Sequence, residues 1–403
     1  MNYAIITALF IFSSIQFVSI FGEISLINRA LFNFTVNLMQ KTAKDDKSAI
    51  LSPFSVSTSL FMVYLATNAA RTSDLRKQFA NQIADSAKIK SKKYKLNVAN
   101  RFCVRKGFPV KDSFKRMLRL YYNETVHEFS FEKRKGFVQV CSLTKCKNDM
   151  KIERKTNKKI KDLIKEDSIN KDTNILLMNA IYFKATWKNQ FMKAVTKERE
   201  FHISEKEKKP IAHTLNKYMC ISSALRFIQI PMMTNSIKAP YYEDNLVQVI
   251  KLPYTHTKIE MVFILPKARF GLSNVLAKLT GEDLFKYIND TKRSSVTVII
   301  PKFQVEEKLD LKDALQKIGI TDIFSAASNF RELVNTTVPV SVGKIMHAGF
   351  IEIDEKGTES TAVTVVDLIN RSASQHRFVA DHPFLFAIVN NLETVLFIGQ
   401  YVK

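Results

Sequence analysis

The chain has 403 residues, 46% hydrophobic and 25% charged, with only ten Gly and ten Pro. That composition excludes disordered and collagen-like classes and supplies enough apolar material for a large core. The formal net charge is +23, and four cysteines (Cys103, Cys141, Cys146, Cys220) are too few and too scattered for a disulfide scaffold and lack the paired CxxC spacing of a zinc site.

The N-terminal stretch MNYAIITALFIFSSIQFVSIFG has no charge before Glu23 and ends on small Gly22. It reads as a signal peptide over 1–22, with a single membrane span as the alternative. Ser, Gln and Thr within it favour the signal, and hence a secreted, extracellular protein. No other segment is apolar enough to span a membrane. No repeat and no Pro/Gly/Ser-rich linker divides the rest, so 23–403 reads as one domain and is expected to be monomeric.

LINRALFNFTVNLMQK shows helical apolar spacing, and LSPFSVSTSLFMVYLATNAA opens with Ser52-Pro53, a helix-entry pair. DSFKRMLRLYY and IERKTNKKIKDLIKE are amphipathic and basic. The second half is strand-rich: NLVQVIKLPY, IEMVFILP, SSVTVIIPKF, FLFAIVN and TVLFIGQYV are β-branched or aromatic runs bounded by turns. LDLKDALQKIG interrupts them as a helix, with Gly319 in the stopping position. Helices first and then strands predict an α+β domain with large antiparallel sheets.

Enzyme motifs are absent from the sequence: there is no GxSxG, HExxH, Walker loop or GxGxxG after a strand. His202, His213 and His256 fall in stretches that read as loop or strand end, and His347 and His382 in apolar ones, which suits satisfied core histidines better than metal ligands. No metal and no catalytic residue is expected. Basic residues do not alternate with aromatics as in a nucleic-acid groove, so no nucleic-acid partner is expected. Residues 86–165 hold 24 Lys and Arg against 7 Asp and Glu. Such a density costs self-repulsion and makes a polyanionic partner worth considering beside a merely solvated face. Asn-x-Ser/Thr acceptors at Asn33, Asn123, Asn289, Asn335 and Asn370 fit a glycoprotein. Cys141 and Cys146 are near enough for a local bridge; buried free thiols are the equal alternative.

Near the C-terminus, DEKGTESTAVT is unusually bland. Laid out as a strand, Thr358, Ser360, Ala362, Thr364, Val366 and Leu368 share an uncharged face, and Glu359 and Asp367 lie on the other. An ordinary strand would use bulkier inward residues, and Gly357 provides a hinge at its start.

At this point the sequence resembles the serpin family over essentially the whole mature chain. NAIYFKATWKNQF, with Asn179, Phe183, Trp187 and Phe191, is similar to the breach-and-strand signature. LSPFS matches the shutter entry at Ser52, Pro53 and Ser55. IKLPY, MVFILP, PKF, LKDALQKIGITDIFS and VADHPFLF follow in family order. HAGFIEIDEKGTESTAVT resembles the hinge, with Glu355, Gly357, Thr358, Ala362 and Thr364 in place and Ser360 where Ala is usual. Val363 replaces a small Ala, Lys151 stands where the family often has an aromatic, and the helix near 86–95 looks short.

The resemblance implies a serpin fold, with about nine helices around three β-sheets and an exposed mobile reactive loop over about 355–378. It implies a non-enzymatic inhibitor: a serine protease cleaves the loop, is held as an acyl-enzyme, and is dragged as the cut loop inserts into the main sheet. Counting sixteen positions from Glu355 puts the reactive bond at Arg371–Ser372, suited to a trypsin-like protease; Arg377 is the rival. The resemblance also pairs Glu355 with Lys302 near Trp187, and places Ser55, Asn179 and His347 together at the sheet centre. No cofactor is expected, but heparin or another sulfated glycosaminoglycan is a candidate activator. It would bind at Lys88, Lys90, Lys92, Lys93 and Lys95, or at Lys111, Lys115, Arg116 and Arg119, of which Lys111, Lys115 and Arg119 recur at four-residue spacing. A clotting or immune protease cascade is the expected setting. A non-inhibitory carrier or chaperone, or a polyanion-binding protein, is the alternative.

Overall fold

A computed structural model describes residues 26–67, 94–122, 124–129, 163, 173–205, 225–255, 257–325, 328–336, 339–357, 375–391 and 393–403. The first apolar-periodic segment forms α1 (Leu26–Thr42). Next, α2 (Pro53–Ala66) opens where Ser52 Oγ accepts the backbone N–H of Ser55. Pro53 sits at the first helical position, where its missing N–H has no partner to lose. Eleven of the fourteen α2 residues are buried, as a helix apolar on all sides requires. The remaining helices are α3 (Asp112–Tyr122), α4 (Leu272–Lys278), α5 (Gly281–Asn289) and α6 (Lys312–Lys317). Gly319 ends the last of these with φ of +94°.

Five strands form one sheet, in the order β10 (Phe303–Asp310), β11 (Val342–Ile353), β4 (Ile175–Ala185), β2 (Tyr94–Arg105) and β3 (Val126–Phe129). The other sheet has nine. Its main path runs β1 (Ala49–Leu51), β14 (Thr394–Tyr401), β13 (Phe384–Asn390), β8 (Ile259–Pro266), β7 (Val247–Pro253), β6 (Leu225–Glu243), β9 (Lys292–Pro301), β12 (His376–Val379), and β5 (Lys197–Glu205) also pairs with β6. The described residues therefore hold six α-helices and two sheets, where about nine and three were expected. One cause is β6. Its 19 residues pair with β5 and β9 and then, at the far end, with β7, which fuses two sets of strands into one continuous sheet. The predicted helices over 86–95 and IERKTNKKIKDLIKE lie almost wholly outside the described residues. The expected helical first half also contains β2 and β4, two of the three central strands of the smaller sheet.

Between the sheets, an aromatic cluster joins Phe303, Phe384, Phe386 and Tyr401, with Phe303 and Tyr401 centroids 4.7 Å apart. Burying rings of this size stabilises the fold by about 1.5–3 kcal/mol each. The α2 helix packs against β2, β4 and β14 and so lies under the middle of the five-stranded sheet.

Candidate functional site

The centre of the five-stranded sheet has an unusual seam. Strands β4 and β11 are neighbours that run parallel, in continuous register from Leu176/Lys344 to Tyr182/Phe350 beyond a register shift between Val342 and Lys344, although more than 150 residues separate them in sequence. Their outer neighbours, β2 and β10, pair antiparallel to them.

A row of polar side chains crosses the seam. His347 is the register partner of Asn179, and Asn179 that of Asn100 on β2. His347 and Asn179 are fully buried and Asn100 nearly so. The Ser52 backbone N–H donates to His347 Nε2 at 3.1 Å, so Nε2 is the acceptor nitrogen. Nδ1 then carries the proton and donates across the seam to Asn179 Oδ1 at 2.6 Å. The Asn179 amide donates in turn to Ser55 O at 3.1 Å, to Ser55 Oγ and to Asn100 Oδ1. Burial holds the His347 pKa down at about 3, which matches an imidazole required to accept a hydrogen bond. Ser55, Asn179 and His347 are thus brought together. Ser52, which the shutter resemblance also named, belongs to the same network, as do Asn100 and Ser59, which the sequence reading missed. A polar residue midway along YKLNVANRFCVR was the available signal for Asn100.

Above Phe350 and Tyr182 the pairing of the two strands stops, and a turn at Asp354–Gly357 closes the top. Asp354 bridges Gly357, and Gly357 bridges Thr186. The Trp187 N–H donates to Lys356 O at 3.0 Å and the Phe191 N–H to Glu355 O at 2.8 Å. The buried Trp187 indole donates to Asp354 O at 2.9 Å and stacks on Tyr254 at 4.5 Å. Gly357 has φ of +102°, and a Cβ there would lie 2.5 Å from Ala185 O, so only glycine fits both the conformation and the space. Lys302 Nζ lies 3.2 Å from Glu355 Oε2, with the carboxylate buried and the lysine half exposed. Burial pushes the Glu355 pKa up, but its own backbone amide and the Lys302 ammonium outweigh this and leave it below the ordinary value. Burial raises that of neighbouring Asp354.

Thr358, Ser360, Ala362, Thr364, Arg371, Ser372 and Asn370 lie outside the described residues. Arg377 does not: it sits in β12 opposite Thr297, and its carbonyl accepts from Gln248 Nε2 at 3.4 Å. Lys88, Lys90, Lys92 and Lys93 are outside the described residues, and only the backbone of Lys95 is inside them, in β2. In the second basic cluster, Lys111 Nζ donates to Arg331 O at 2.5 Å and Lys115 pairs with Asp112 at 3.2 Å. Arg116 and Arg119 face solvent beside exposed Leu120. Of the glycan acceptors, Asn33 is exposed on α1 but Thr35, two residues on, is buried and donates to Leu31 O. Asn289 is half-buried, with its amide donating to Phe285 O at 3.0 Å. Asn335 is exposed, and Asn123 lies outside the described residues. Cys103 is buried in β2. Among the described residues no group of His, Cys, Asp and Glu could hold a metal ion, and no helix is long and apolar enough to cross a membrane.

A five-stranded sheet with a parallel central seam, closed above by a glycine-hinged turn and locked at mid-height by a buried His–Asn row, defines the class. The family model described as Serpin (serine protease inhibitor) matches residues 29–403. The chain belongs to the serpin family. It is 26% identical to human neuroserpin over 396 residues, which cover 92% of this chain and 90% of that protein. Solved structures share the fold. Serpin48 of the insect Tenebrio molitor superposes with a TM-score of 0.78 at 22% identity, covering 95% of this chain and 100% of that one. Human thyroxine-binding globulin complexed with thyroxine gives 0.76 at 23%, covering 94% of this chain and 97% of that one.

Proposed function

We propose that this serpin is a secreted suicide inhibitor of trypsin-like serine proteases, cleaved at Arg371–Ser372. The observation that supports this reading best is the seam. A chain leaving β11 at Ile353 and reversing at Asp354–Gly357 would run antiparallel to both β11 and β4. That is the direction in which one new strand can hydrogen-bond to both neighbours at once. The segment that follows, Thr358 onward, offers a small uncharged face to the core and its acids to water. Cleavage frees this segment, and insertion releases the energy that the native five-stranded form withholds. Arg377 is a poor rival as the cleaved residue, because its backbone is already paired in β12 and a protease cleft needs a free extended segment. Arg371 in turn offers a guanidinium fork to a carboxylate at the base of the protease pocket.

Heparin-like polyanions are proposed as modulators, held by charge through the 86–119 basic region, and a clotting or immune cascade as the setting. The solvent-facing Arg116 and Arg119 favour this; the tethering of Lys111 and Lys115 disfavours a four-residue array. The fold also serves small-molecule carriage in thyroxine-binding globulin, and carriage is the second reading.

Incubation with trypsin tests the proposal. The inhibitor reading expects an SDS-stable covalent complex, release of a peptide beginning at Ser372, and loss of both in Arg371→Ala with the fold intact. Simple cleavage without a complex would favour the carrier reading. Release of a peptide beginning at Phe378 would overturn the assignment of the bond.

A further inference from the structure

We infer that the outer face of β6, β9 and β12 is an electropositive secondary docking surface for the target protease, and that the preferred target carries acidic residues beside its cleft. The inference rests on the inhibitor reading above. Register places Ser236, Thr297 and Arg377 side by side in one row across the three strands, Lys238 and Ser295 in the next, and Pro240 and Arg293 in the third. The Ser236 and Thr297 hydroxyls lie 3.2 Å apart, which fixes them on one face. The intervening residues Ala239, Val296, Val298 and Phe378 point into the core.

Lys238, Arg293 and Arg377 are all exposed, and none is in an ion pair among the described residues. No Asp or Glu of these three strands shares the face: Glu243, the one acid among them, has the opposite parity and pairs with Lys267 at 2.6 Å. The rest of the face is small and hydroxylated, a low-relief surface against which another protein can lie flat. Its position selects the occupant. Six residues separate Arg371 from Arg377, a span of about 20 Å at most. A protease gripping the bond at Arg371 is therefore held within reach of this face. Three unpaired cations there would steer an acidic partner and repel a basic one, acting mainly on the association rate.

Anionic and cationic trypsin share a cleavage specificity and differ in surface charge, so the association rate constants of the two are compared. The anionic form should be inhibited about tenfold faster at low salt, with the gap closing at about 0.5 M salt as screening removes it. In a Lys238→Glu, Arg293→Glu double variant the gap should vanish, with covalent complex yield and thermal stability unchanged. The chain's overall charge could also steer, so Lys41→Glu with Lys278→Glu, exposed and on other elements, serves as the matched control and should keep the gap. Equal wild-type rates, or a gap that survives in the double variant or falls equally in the control, would overturn the docking surface alone. Absence of a covalent complex with either trypsin would instead overturn the inhibitor reading, and the docking surface with it.

Discussion

The top of the seam and its centre are closed by different means. At the top, closure depends on backbone hydrogen bonds from one turn, a stacked tryptophan, and an ion pair whose lysine is half in water. At the centre it depends on an uncharged row, His347–Asn179–Asn100, with Ser52 and Ser55 beneath it and almost no exposure anywhere. Water can replace the top contacts as they break. At the centre, nothing replaces them until a new strand arrives. A strand entering from the turn would therefore start where opening is cheap, and its barrier would lie at His347, whose hydrogen bond to Asn179 must be broken for the strands to part.

Removing the central lock should have the largest effect. Asn179→Ala would leave the His347 Nδ1–H and Asn100 Oδ1 buried without their partner, at a cost of about 3 kcal/mol in native stability. Denaturant unfolding should show a lower midpoint, and, on the inhibitor reading, the capacity to form the covalent complex should be lost faster on incubation at moderate temperature. A midpoint equal to wild type would mean that the row is not the lock.

Gly357→Ala comes next. Positive φ costs a residue with a Cβ roughly 1–2 kcal/mol, and contact with Ala185 O adds to it. We expect a total of about 2–3 kcal/mol, read as a lowered native melting temperature, with the turn backing away from Thr186. If crystals of the variant kept the Gly357–Thr186 bridge without loss of stability, the turn would be more adaptable than its geometry indicates.

Much of the architecture was legible in the sequence, for identifiable reasons. NLVQVIKLPY, IEMVFILP, FLFAIVN and TVLFIGQYV became β7, β8, β13 and β14, because buried strands read as unbroken apolar runs. Ser52-Pro53 marked the start of α2 through local capping chemistry. The seam was not legible from periodicity, since parallel pairing between residues 175–182 and 342–350 has no local signature. Its apolar surroundings marked His347 as a satisfied core histidine, but only family resemblance drew attention to Asn179 and to the pairing of the two. Asn100 escaped because its role comes from register with Asn179. The fusion of two strand sets through β6 escaped because a strand's partners on each side are fixed by tertiary structure.

Acidification separates the two regions further. His347 has a pKa near 3 when folded and about 6.5 when unfolded, so between these values the unfolded chain binds the extra proton. Its contribution to stability is full above pH 6.5 and declines as pH falls towards 3, by about 2 kcal/mol at pH 5. Stability measured from pH 7.5 to 5 should fall along this curve in the wild type and stay nearly level in His347→Gln, which is weaker throughout but has no imidazole to titrate. Parallel curves for the two proteins would remove His347 as the source.

The smallest effect is expected at the top. Lys302→Ala deprives the buried Glu355 carboxylate of its ammonium, but water reaches that position, so the loss should be about 1 kcal/mol. Because pairing with Lys302 helps hold the Glu355 pKa below 4.5, its stabilisation is present above that value and lost as pH falls below it. The change between pH 6.5 and 5 assigned to His347 should survive in Lys302→Ala, whereas the further drop below pH 4.5 should shrink. If early opening at the top governs insertion, Lys302→Ala should also convert to a form unable to trap protease about fivefold faster, the rate equivalent of 1 kcal/mol. Lys302→Arg should restore most of the wild-type rate. An unchanged conversion rate with the expected loss of stability would shift the whole barrier to the centre, leaving the ion pair as a brace for the turn.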